Sequence, residues 1–103
     1  MSKDNPEAPN RLSEPEALDL VRRLAATTDN IVIISHARMR MLKRGITRRQ
    51  IELCVQKGTI TEGPFMNRRG NWQVNLSRHA AGEEITCVVA IEWPNRIVVI
   101  STF

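Results

Sequence analysis

The apolar pattern of this 103-residue chain changes its period at Gly58, and this change constrains the fold more than any other feature. Before Gly58, capping residues and apolar residues three or four positions apart indicate helices. After it, short apolar runs alternate with turn sequences such as Arg68-Arg69-Gly70 and Pro94-Asn95, which is typical of antiparallel strands. The sequence therefore predicts one α+β domain in which helices precede a sheet.

Two of the predicted helices begin at capping boxes, in which two residues three positions apart satisfy each other's backbone N–H groups. Ser13 and Glu16 form the first box, and Thr47 and Gln50 form the second. The first helix is predicted to run to about residue 27, and the second is predicted to stop at Gly58. The residues predicted to face the core are Ala17, Leu20, Val21 and Leu24 in the first helix and Ile51, Cys54 and Val55 in the second.

A further helix is predicted between these two, over residues 36–44. Ser35 precedes it and can cap its first turn, and Gly45 follows it at the position where helices commonly end. Residues 31–35, IVIIS, are short and β-branched, so they are predicted to form an edge strand or an extended approach to this helix. The residues of this helix and its end that are predicted to enter the core are Met39, Leu42 and Ile46.

The C-terminal half is predicted to form a roughly four-stranded antiparallel sheet. In one strand Trp72, Val74 and Leu76 alternate with polar residues, so this strand is expected to have one wet face. The next two strands are more apolar and are predicted to be central, and they are joined as a hairpin at Pro94-Asn95. The predicted helices pack on one face of this sheet.

Residues 1–12 are polar and contain proline and asparagine, so they are predicted to form a disordered tail before a single domain over residues 13–103. The absence of a signal peptide and of a long apolar run predicts a soluble, cytoplasmic protein with no membrane partner. Cys54 and Cys87 have apolar neighbours and no metal-ligand spacing, so they are predicted to be reduced core thiols. No metal or cofactor is expected.

The charge of the chain is concentrated in its second part. Residues 30–103 hold eleven of the fifteen Lys and Arg residues but only five of the eleven acidic residues. An excess of this kind favours an anionic partner such as RNA. With two Trp, two Phe and no Tyr, the chain lacks the several exposed aromatic residues on which some single-strand binders stack bases.

The most basic segment begins with ISHARMRMLKRGIT, residues 34–47. Six Lys and Arg residues lie between residues 34 and 49, and no acidic residue lies between residues 30 and 51. On a helix, His36, Arg40 and Arg44 are four positions apart and form one line, with Lys43 beside it. We call His36, Arg40 and Arg44 the basic line. It is either a solvated surface or a site for a phosphate group.

If the anion is RNA, the basic line has the groups for cleavage without a metal. Attack of the 2′-hydroxyl on phosphorus needs a base, an acid for the leaving 5′-oxygen and cations for the charge that develops on phosphorus. Histidine exchanges protons readily near neutral pH, so His36 is the candidate for proton transfer. Arg40 and Arg44 can each bind phosphate oxygens with a guanidinium fork.

Four further residues are candidates for binding the nucleic acid. Arg68 and Arg69 occupy a predicted hairpin turn, where they are either solvated or grip a backbone phosphate. Arg78 and His79 lie at the end of a predicted strand. His79 is either a surface residue or the second proton-transfer group, for which a carboxylate or an arginine-assisted water is the alternative. The basic residues predicted to be solvated are Arg38, Arg48 and Arg49.

The residues His36-Ala37, Arg40-Met41 and Arg44-Gly45-Ile46-Thr47, with a strand-rich end IVVISTF, resemble a bacterial family of unknown function. The resemblance covers about residues 33–103, and that family is similar to BrnT- and RelE-like toxins. It implies the α+β fold shared by barnase, EndoU, colicin and RelE ribonucleases, with His36, Arg40, Arg44 and Ser101 as catalytic positions. Where the family often ends in Tyr, this chain has Phe103.

The sequence therefore predicts a small ribonuclease-like toxin domain that cleaves RNA without a metal and has a possible cognate antitoxin or immunity protein. Two alternatives use the same helix. One is a non-catalytic nucleic-acid-binding module, and the other is an interaction domain whose basic helix docks an acidic partner protein.

Overall fold

The computed structural model describes residues 9–103, which form three α-helices, a short 3₁₀ helix and five strands. In chain order these are α1 (Glu14–Ala25), the 3₁₀ helix (Thr28–Asn30), β1 (Ile31–Ile33), α2 (Ser35–Arg44), α3 (Arg48–Lys57), β2 (Thr59–Met66), β3 (Trp72–Ala80), β4 (Glu83–Glu92) and β5 (Arg96–Thr102). The α+β class and the order of helices before the main sheet are confirmed.

The five strands form one mixed sheet in the order β1-β5-β4-β3-β2. Strands β2 to β5 are antiparallel neighbours, as predicted, whereas β1 pairs in parallel with β5 through Ile31 with Ile97 and Ile33 with Val99. The prediction of a four-stranded antiparallel sheet was therefore wrong in strand number and in direction at one edge. The helices and strands that separate β1 from β5 allow the chain to return in the same direction, which a tight hairpin does not.

The helix boundaries follow local capping, with one exception. The capping boxes of Ser13 with Glu16 and of Thr47 with Gln50 are both present, and Gly45 ends α2 in the left-handed conformation at φ 67°. Ser35 was predicted to cap α2, but the capping position belongs to Ile34, whose side chain makes no cap. Ser35 is the first helical residue because the carbonyl of Ile34 already accepts a helical hydrogen bond, from the backbone N–H of Arg38 at 3.0 Å, while the N–H of Ile34 still donates to the Val99 carbonyl of β5 at 3.3 Å.

The core lies between one face of the sheet and the helices α1 and α3. Val74 and Leu76 of β3 point into it together with Cys87 and Val89 of β4, and all four are fully buried. We call the opposite side of the sheet the open face, because none of the helices in residues 9–103 packs across the polar residues of β3 there. Those residues, which alternate with the buried ones, are Gln73, Asn75 and Ser77.

A bulge in β5 changes which residues face the core at the end of that strand. Val99 pairs with Val89 and Ser101 pairs with Val88, so Ile100 is an extra residue in β5. The extra residue shifts the alternation, which turns Thr102 into the core and leaves Ile100 and Ser101 towards the open face. Thr102 is fully buried, and its hydroxyl donates to the Thr86 carbonyl at 2.9 Å.

Gly58 allows α3 to pass directly over β3. A Cβ atom at Gly58 would lie 2.4 Å from the carbonyl oxygen of Cys54 and 2.9 Å from that of Ser77. Both atoms belong to the backbone, so a larger residue would force the end of α3 or strand β3 to move. The position at which the sequence changes its period is therefore also one where a side chain has no room.

The two cysteines are buried neighbours between α3 and β4. The thiol of Cys54 faces the carbonyl oxygens of Leu76 at 3.5 Å and Ile85 at 3.4 Å, and both thiols are free. The hydrogen bond with Cys54 and burial together raise the pKa of the Cys87 thiol. This agrees with the prediction of reduced core thiols.

Part of the predicted N-terminal tail, residues 1–8, lies outside the described residues. The indole Nε1 of Trp72 donates to the carbonyl oxygen of Pro9 at 2.9 Å, and Leu12 packs against the core. Within residues 9–103, no helix has the length and apolar character required to cross a membrane.

Candidate nucleic-acid interface

Helix α2 lies along the edge of β5 and not on a face of the sheet. Ala37 is its one buried residue, and Met41 is partly buried against the core. Met39 and Leu42 were predicted to enter the core, but their side chains are 59% and 83% exposed. A helix at a sheet edge buries only a narrow face. Small Ala37 provides the contact, whereas Met39 and Leu42 are two and five positions further along and lie on the opposite side of the helix.

Three arginines cap carbonyl groups on the unpaired edge of the sheet. The carbonyls of Ile31 and Ile33 point away from β5 because β1 is the edge strand. Nη2 of Arg48 donates to the first at 2.9 Å, and Nε of Arg38 donates to the second at 3.1 Å. These two arginines were predicted to be only solvated, yet both are tied to the backbone. An unpaired edge covered in this way is a poor template for pairing with another strand.

Arg40 is the third of these arginines, and it also belongs to the basic line. Its Nε donates to the carbonyl oxygen of Thr102 at 3.2 Å, on the part of β5 that extends beyond β1. Within residues 9–103 its two terminal amino groups make no hydrogen bond and no ion pair. The guanidinium is thus held at one nitrogen, and its other two nitrogens remain available for an anion.

His36 and Arg44 lie one turn on either side of Arg40, about 6 Å along the helix axis. Both are exposed, and neither has a hydrogen bond or ion pair within the part of the chain that the structure describes. The same holds for Lys43. The ion pairs of the neighbouring helix α3 are those of Arg48 and Arg49 with Glu52. The charges of the basic line are therefore not neutralised by described carboxylates.

Ser101 is next to the residue that holds Arg40. It pairs with Val88 and is partly buried towards the open face, whereas Thr102 turns its side chain into the core and only its carbonyl towards Arg40. Phe103 exchanges backbone hydrogen bonds with Thr86, and its side chain is 45% exposed. Ser101 and Phe103 therefore lie at the end of the sheet to which Arg40 is tied.

Arg78 and His79 are separated by the alternation of β3. Arg78 pairs with buried Ile85, so it lies on the side of the sheet that α3 covers. His79 is exposed, pairs with Glu84 near the β3–β4 turn, and lies on the open face. Strand β4 lies between β3 and β5. Arg78 is therefore not brought together with the basic line, and His79 is two strands away from the one that holds Arg40.

Arg68 and Arg69 lie in the β2–β3 turn and line a cleft of about 440 Å³ on the open face. The cleft is at the end of the sheet where α2 begins, since Ile34 also lines it. The sequence did not predict this grouping. Its remaining lining residues are Asn67, Asn71, Gln73, Ala90, Glu92, Val98 and Ile100.

Residues 9–103 contain no group of three or more His, Cys, Asp or Glu side chains that are placed to hold a metal ion together. The expected site residues therefore form two separate basic groups. One is the basic line with Ser101 at the edge of β5, and the other is the arginine pair at the cleft.

Residues 33–103 match a family described as "Domain of unknown function (DUF4258)". The match covers all of the strands and both α2 and α3, apart from the first two residues of β1, and it leaves out α1. Searches of curated proteins and of solved structures found no match.

Proposed function

We propose that this chain, which belongs to the DUF4258 family, is a small metal-independent endoribonuclease of the toxin type. His36 transfers a proton, Arg40 and Arg44 bind the phosphate that is cleaved, and Ser101, which precedes the residue whose carbonyl binds Arg40, is the fourth candidate. The wider likeness to BrnT- and RelE-like toxins and to their shared fold is part of this proposal.

In the proposed reaction the 2′-oxygen of one nucleotide forms a bond to phosphorus while the bond from phosphorus to the 5′-oxygen of the next nucleotide breaks. His36 accepts the proton of the 2′-hydroxyl, and a water molecule supplies the proton that the departing 5′-oxygen takes up. The proton on His36 then neutralises the hydroxide that remains, so His36 and the water are both restored. The products are a 2′,3′-cyclic phosphate and a 5′-hydroxyl, and no oxidant or metal is consumed. The two guanidinium groups stabilise the extra negative charge on the phosphoryl oxygens.

The observation that carries this proposal is the position of the Arg40 side chain. Its Nε is bound to the Thr102 carbonyl, so the guanidinium is ordered before any ligand arrives. An ordered donor loses less conformational entropy on binding than a free side chain does. No described carboxylate pairs with Arg40, and His36 lies one helical turn away.

Replacement of Arg40 by alanine is expected to weaken RNA binding by roughly tenfold to a hundredfold, because hydrogen bonds to a charged group contribute about 1.5–3 kcal/mol. The affinity is measured by fluorescence anisotropy with an RNA whose 2′-hydroxyls are replaced by 2′-methoxy groups, so that cleavage cannot occur. The slope of log affinity against log salt concentration is expected to fall by about one. Arg40→Lys is expected to recover only part of the affinity, since lysine lacks the planar fork.

Arg49→Ala is the matched control for Arg40→Ala. Arg49 is also an exposed helical arginine, but it pairs with Glu52 on α3. Equal losses of RNA affinity in the two variants would show that binding depends only on the overall charge of the chain. That result would contradict a specific role for Arg40. Arg40→Ala also removes the hydrogen bond to the Thr102 carbonyl. The melting temperature of each variant therefore shows whether weaker binding is accompanied by a less stable fold.

The outer surface of α2 supports a second candidate function, the docking of an acidic partner protein. Met39 and Leu42 are exposed there at helical spacing, and Arg38 and Lys43 lie on the same helix without a carboxylate. Two exposed apolar side chains among positive charges are complementary to an amphipathic helix of a partner protein that carries both large aliphatic residues and carboxylates. We propose that such a helix belongs to an antitoxin or immunity protein encoded beside this chain.

The double variant Met39→Ser, Leu42→Ser is expected to bind the product of the adjacent gene at least tenfold more weakly than the unmodified chain. The reason is that two apolar side chains are no longer available for burial in the interface. Affinity is measured by titration calorimetry on purified proteins. Unchanged affinity, or no binding by the unmodified chain, would overturn this candidate. A dimer of the unmodified chain that the double variant abolishes would instead assign the surface to a second copy.

A further inference from the structure

We propose that the cleft on the open face holds one nucleotide of the bound RNA, with its base on the apolar floor and its phosphate at Arg68 and Arg69. This inference rests on the proposed function, which identifies the ligand as RNA. It adds the site at which one nucleotide of that RNA is recognised. It also assigns a role to residues that lie outside the basic line.

The floor of the cleft is apolar although it lies on the otherwise polar side of the sheet. Ile34, Ala90, Val98 and Ile100 line it from three different parts of the chain. Ile34 is 37% exposed, and Ile100 faces this side because it alternates with buried Val99 and is two positions from Val98. A flat apolar floor suits the face of a nucleobase, which gains from leaving water.

The polar wall is held in place by Asn67. Its Oδ1 accepts from the backbone N–H groups of Arg69 at 2.9 Å and Asn71 at 3.0 Å, and its Nδ2 donates to Oε1 of Gln73 at 3.1 Å. This bond holds Oε1 of Gln73 towards Asn67. Among the described residues its Nε2 group has no acceptor, and the side-chain amide of Asn71 has no partner.

These amides provide the hydrogen-bonding groups that a base edge requires. The free Nε2 of Gln73 can donate to a ring nitrogen or carbonyl of the base, and the Asn71 amide can both donate and accept. Glu92 also lines the cleft and pairs with Arg96 at 2.8 Å, so its second carboxylate oxygen can accept from an amino group of the base. An apolar floor next to a polar wall distinguishes such a cleft from a simple anion site.

The rim provides positive charge at one side. Arg68 and Arg69 are exposed, and neither is in an ion pair within residues 9–103. The cleft volume of about 440 Å³ is in the range of small-molecule sites, which is roughly 300–1,000 Å³. One nucleotide has the shape and charge that the floor, wall and rim accept together.

The position of the cleft relates it to the basic line. Ile34 lines the cleft and directly precedes the first turn of α2, which contains His36. An RNA strand that leaves the cleft past Ile34 meets His36 first and Arg40 one turn later. The nucleotide in the cleft would therefore be close to the phosphate at which the proposed cleavage occurs, and its base would influence the choice of cleavage site.

The test is titration of the ¹⁵N-labelled chain with each of the four nucleoside 5′-monophosphates, followed by NMR. Mononucleotides have no phosphodiester bond to cleave, so the result does not depend on catalysis. Shifts are expected in the side-chain amides of Gln73 and Asn71 and in the backbone of residues 67–71. The corresponding nucleosides, which lack phosphate, are expected to bind more weakly.

Two variants localise the effect. Ile34→Ser removes part of the floor but supplies a residue that favours the start of α2, so the fold is expected to persist. Gln73→Ala removes the fixed amide. Each is expected to weaken mononucleotide binding by roughly threefold to tenfold, the loss of one contact of about 1 kcal/mol. Asn75→Ala, on the same strand and the same face but outside the cleft, is expected to change nothing.

Absence of shifts at the cleft with millimolar mononucleotide would overturn the inference, and so would equal shifts with inorganic phosphate alone. If the chain cleaves RNA but neither variant alters mononucleotide binding or the cleavage position, the inference is wrong while the proposed function stands. If mononucleotides bind in the cleft but RNA stays intact, the proposed function is wrong while the cleft remains a nucleotide site.

Discussion

Replacement of His36 by alanine is expected to lower the rate of RNA cleavage by roughly 10²–10⁴-fold, the usual contribution of a general acid or base. The fold should not change, because His36 is exposed in the first turn of α2 and makes no hydrogen bond among the described residues. The measurement is single-turnover cleavage of a labelled oligoribonucleotide, with circular dichroism as the check on folding. Affinity for a 2′-methoxy RNA should change by less than about threefold, since the arginines remain.

His79→Ala is the matched control, because the chain has only these two histidines and both are exposed. The pairing of His79 with Glu84 on β4 places it two strands away from β5. Its replacement is expected to leave the rate within about threefold of the original. If His79→Ala abolishes cleavage and His36→Ala does not, the site has been assigned to the wrong histidine. If neither variant affects binding or cleavage, the basic line has no catalytic role.

Replacement of Leu76 by alanine is expected to lower the free energy of unfolding by about 2–5 kcal/mol. Leu76 is fully buried in β3, pairs with Cys87 on β4, and lies beside Ile60 on β2. Removal of its side chain leaves a cavity between the sheet and α3 that backbone hydrogen bonds prevent from closing. Because small domains have only about 5–15 kcal/mol in total, this is a large fraction. Urea denaturation followed by Trp fluorescence measures it.

Leu42→Ala makes the same chemical change on a side chain that is 83% exposed. Its expected effect is within about 0.5 kcal/mol, as for other surface substitutions. Equal losses from the two variants would contradict the orientation of α2, since they would place Leu42 in the core as the sequence pattern predicted. The two variants together therefore test that Leu76 lies in the core and that Leu42 does not.

The parts of the fold that depend on local chemistry could be predicted from the sequence. The capping boxes at Ser13 and Thr47 and the left-handed Gly45 are decided by residues within one turn of each other. The alternation in β3 identified its wet face for the same reason. These features do not require knowledge of what the element packs against.

The orientation of α2 and the pairing of β1 could not be predicted, because both depend on distant parts of the chain. Met39 and Leu42 have the spacing of a core face, but the helix lies at a sheet edge, where only Ala37 is fully covered. The parallel partner of β1 is β5, more than sixty residues away. A three-residue apolar run gives no indication of that partner or of its direction.

The basic line could be predicted from the spacing of its residues alone, whereas the hydrogen bond that holds Arg40 could not. The contact from Arg40 to the Thr102 carbonyl joins residues 62 positions apart, and the bulge that exposes this carbonyl leaves no clear mark in the sequence. The cleft was not predicted because its lining comes from distant segments, namely Ile34, the β2–β3 turn and strands β4 and β5. One signal was present, since the alternation of β5 places apolar Val98 and Ile100 on the otherwise polar side of the sheet.

Analysis of the product ends is the most direct test of the central claim. An oligoribonucleotide is incubated with the purified chain in EDTA, and the fragments are identified by mass spectrometry. Fragments with 2′,3′-cyclic phosphate and 5′-hydroxyl ends are expected, and they should be absent when the His36→Ala variant replaces the unmodified chain. Intact RNA, or fragments with 3′-hydroxyl and 5′-phosphate ends, would contradict the proposed mechanism.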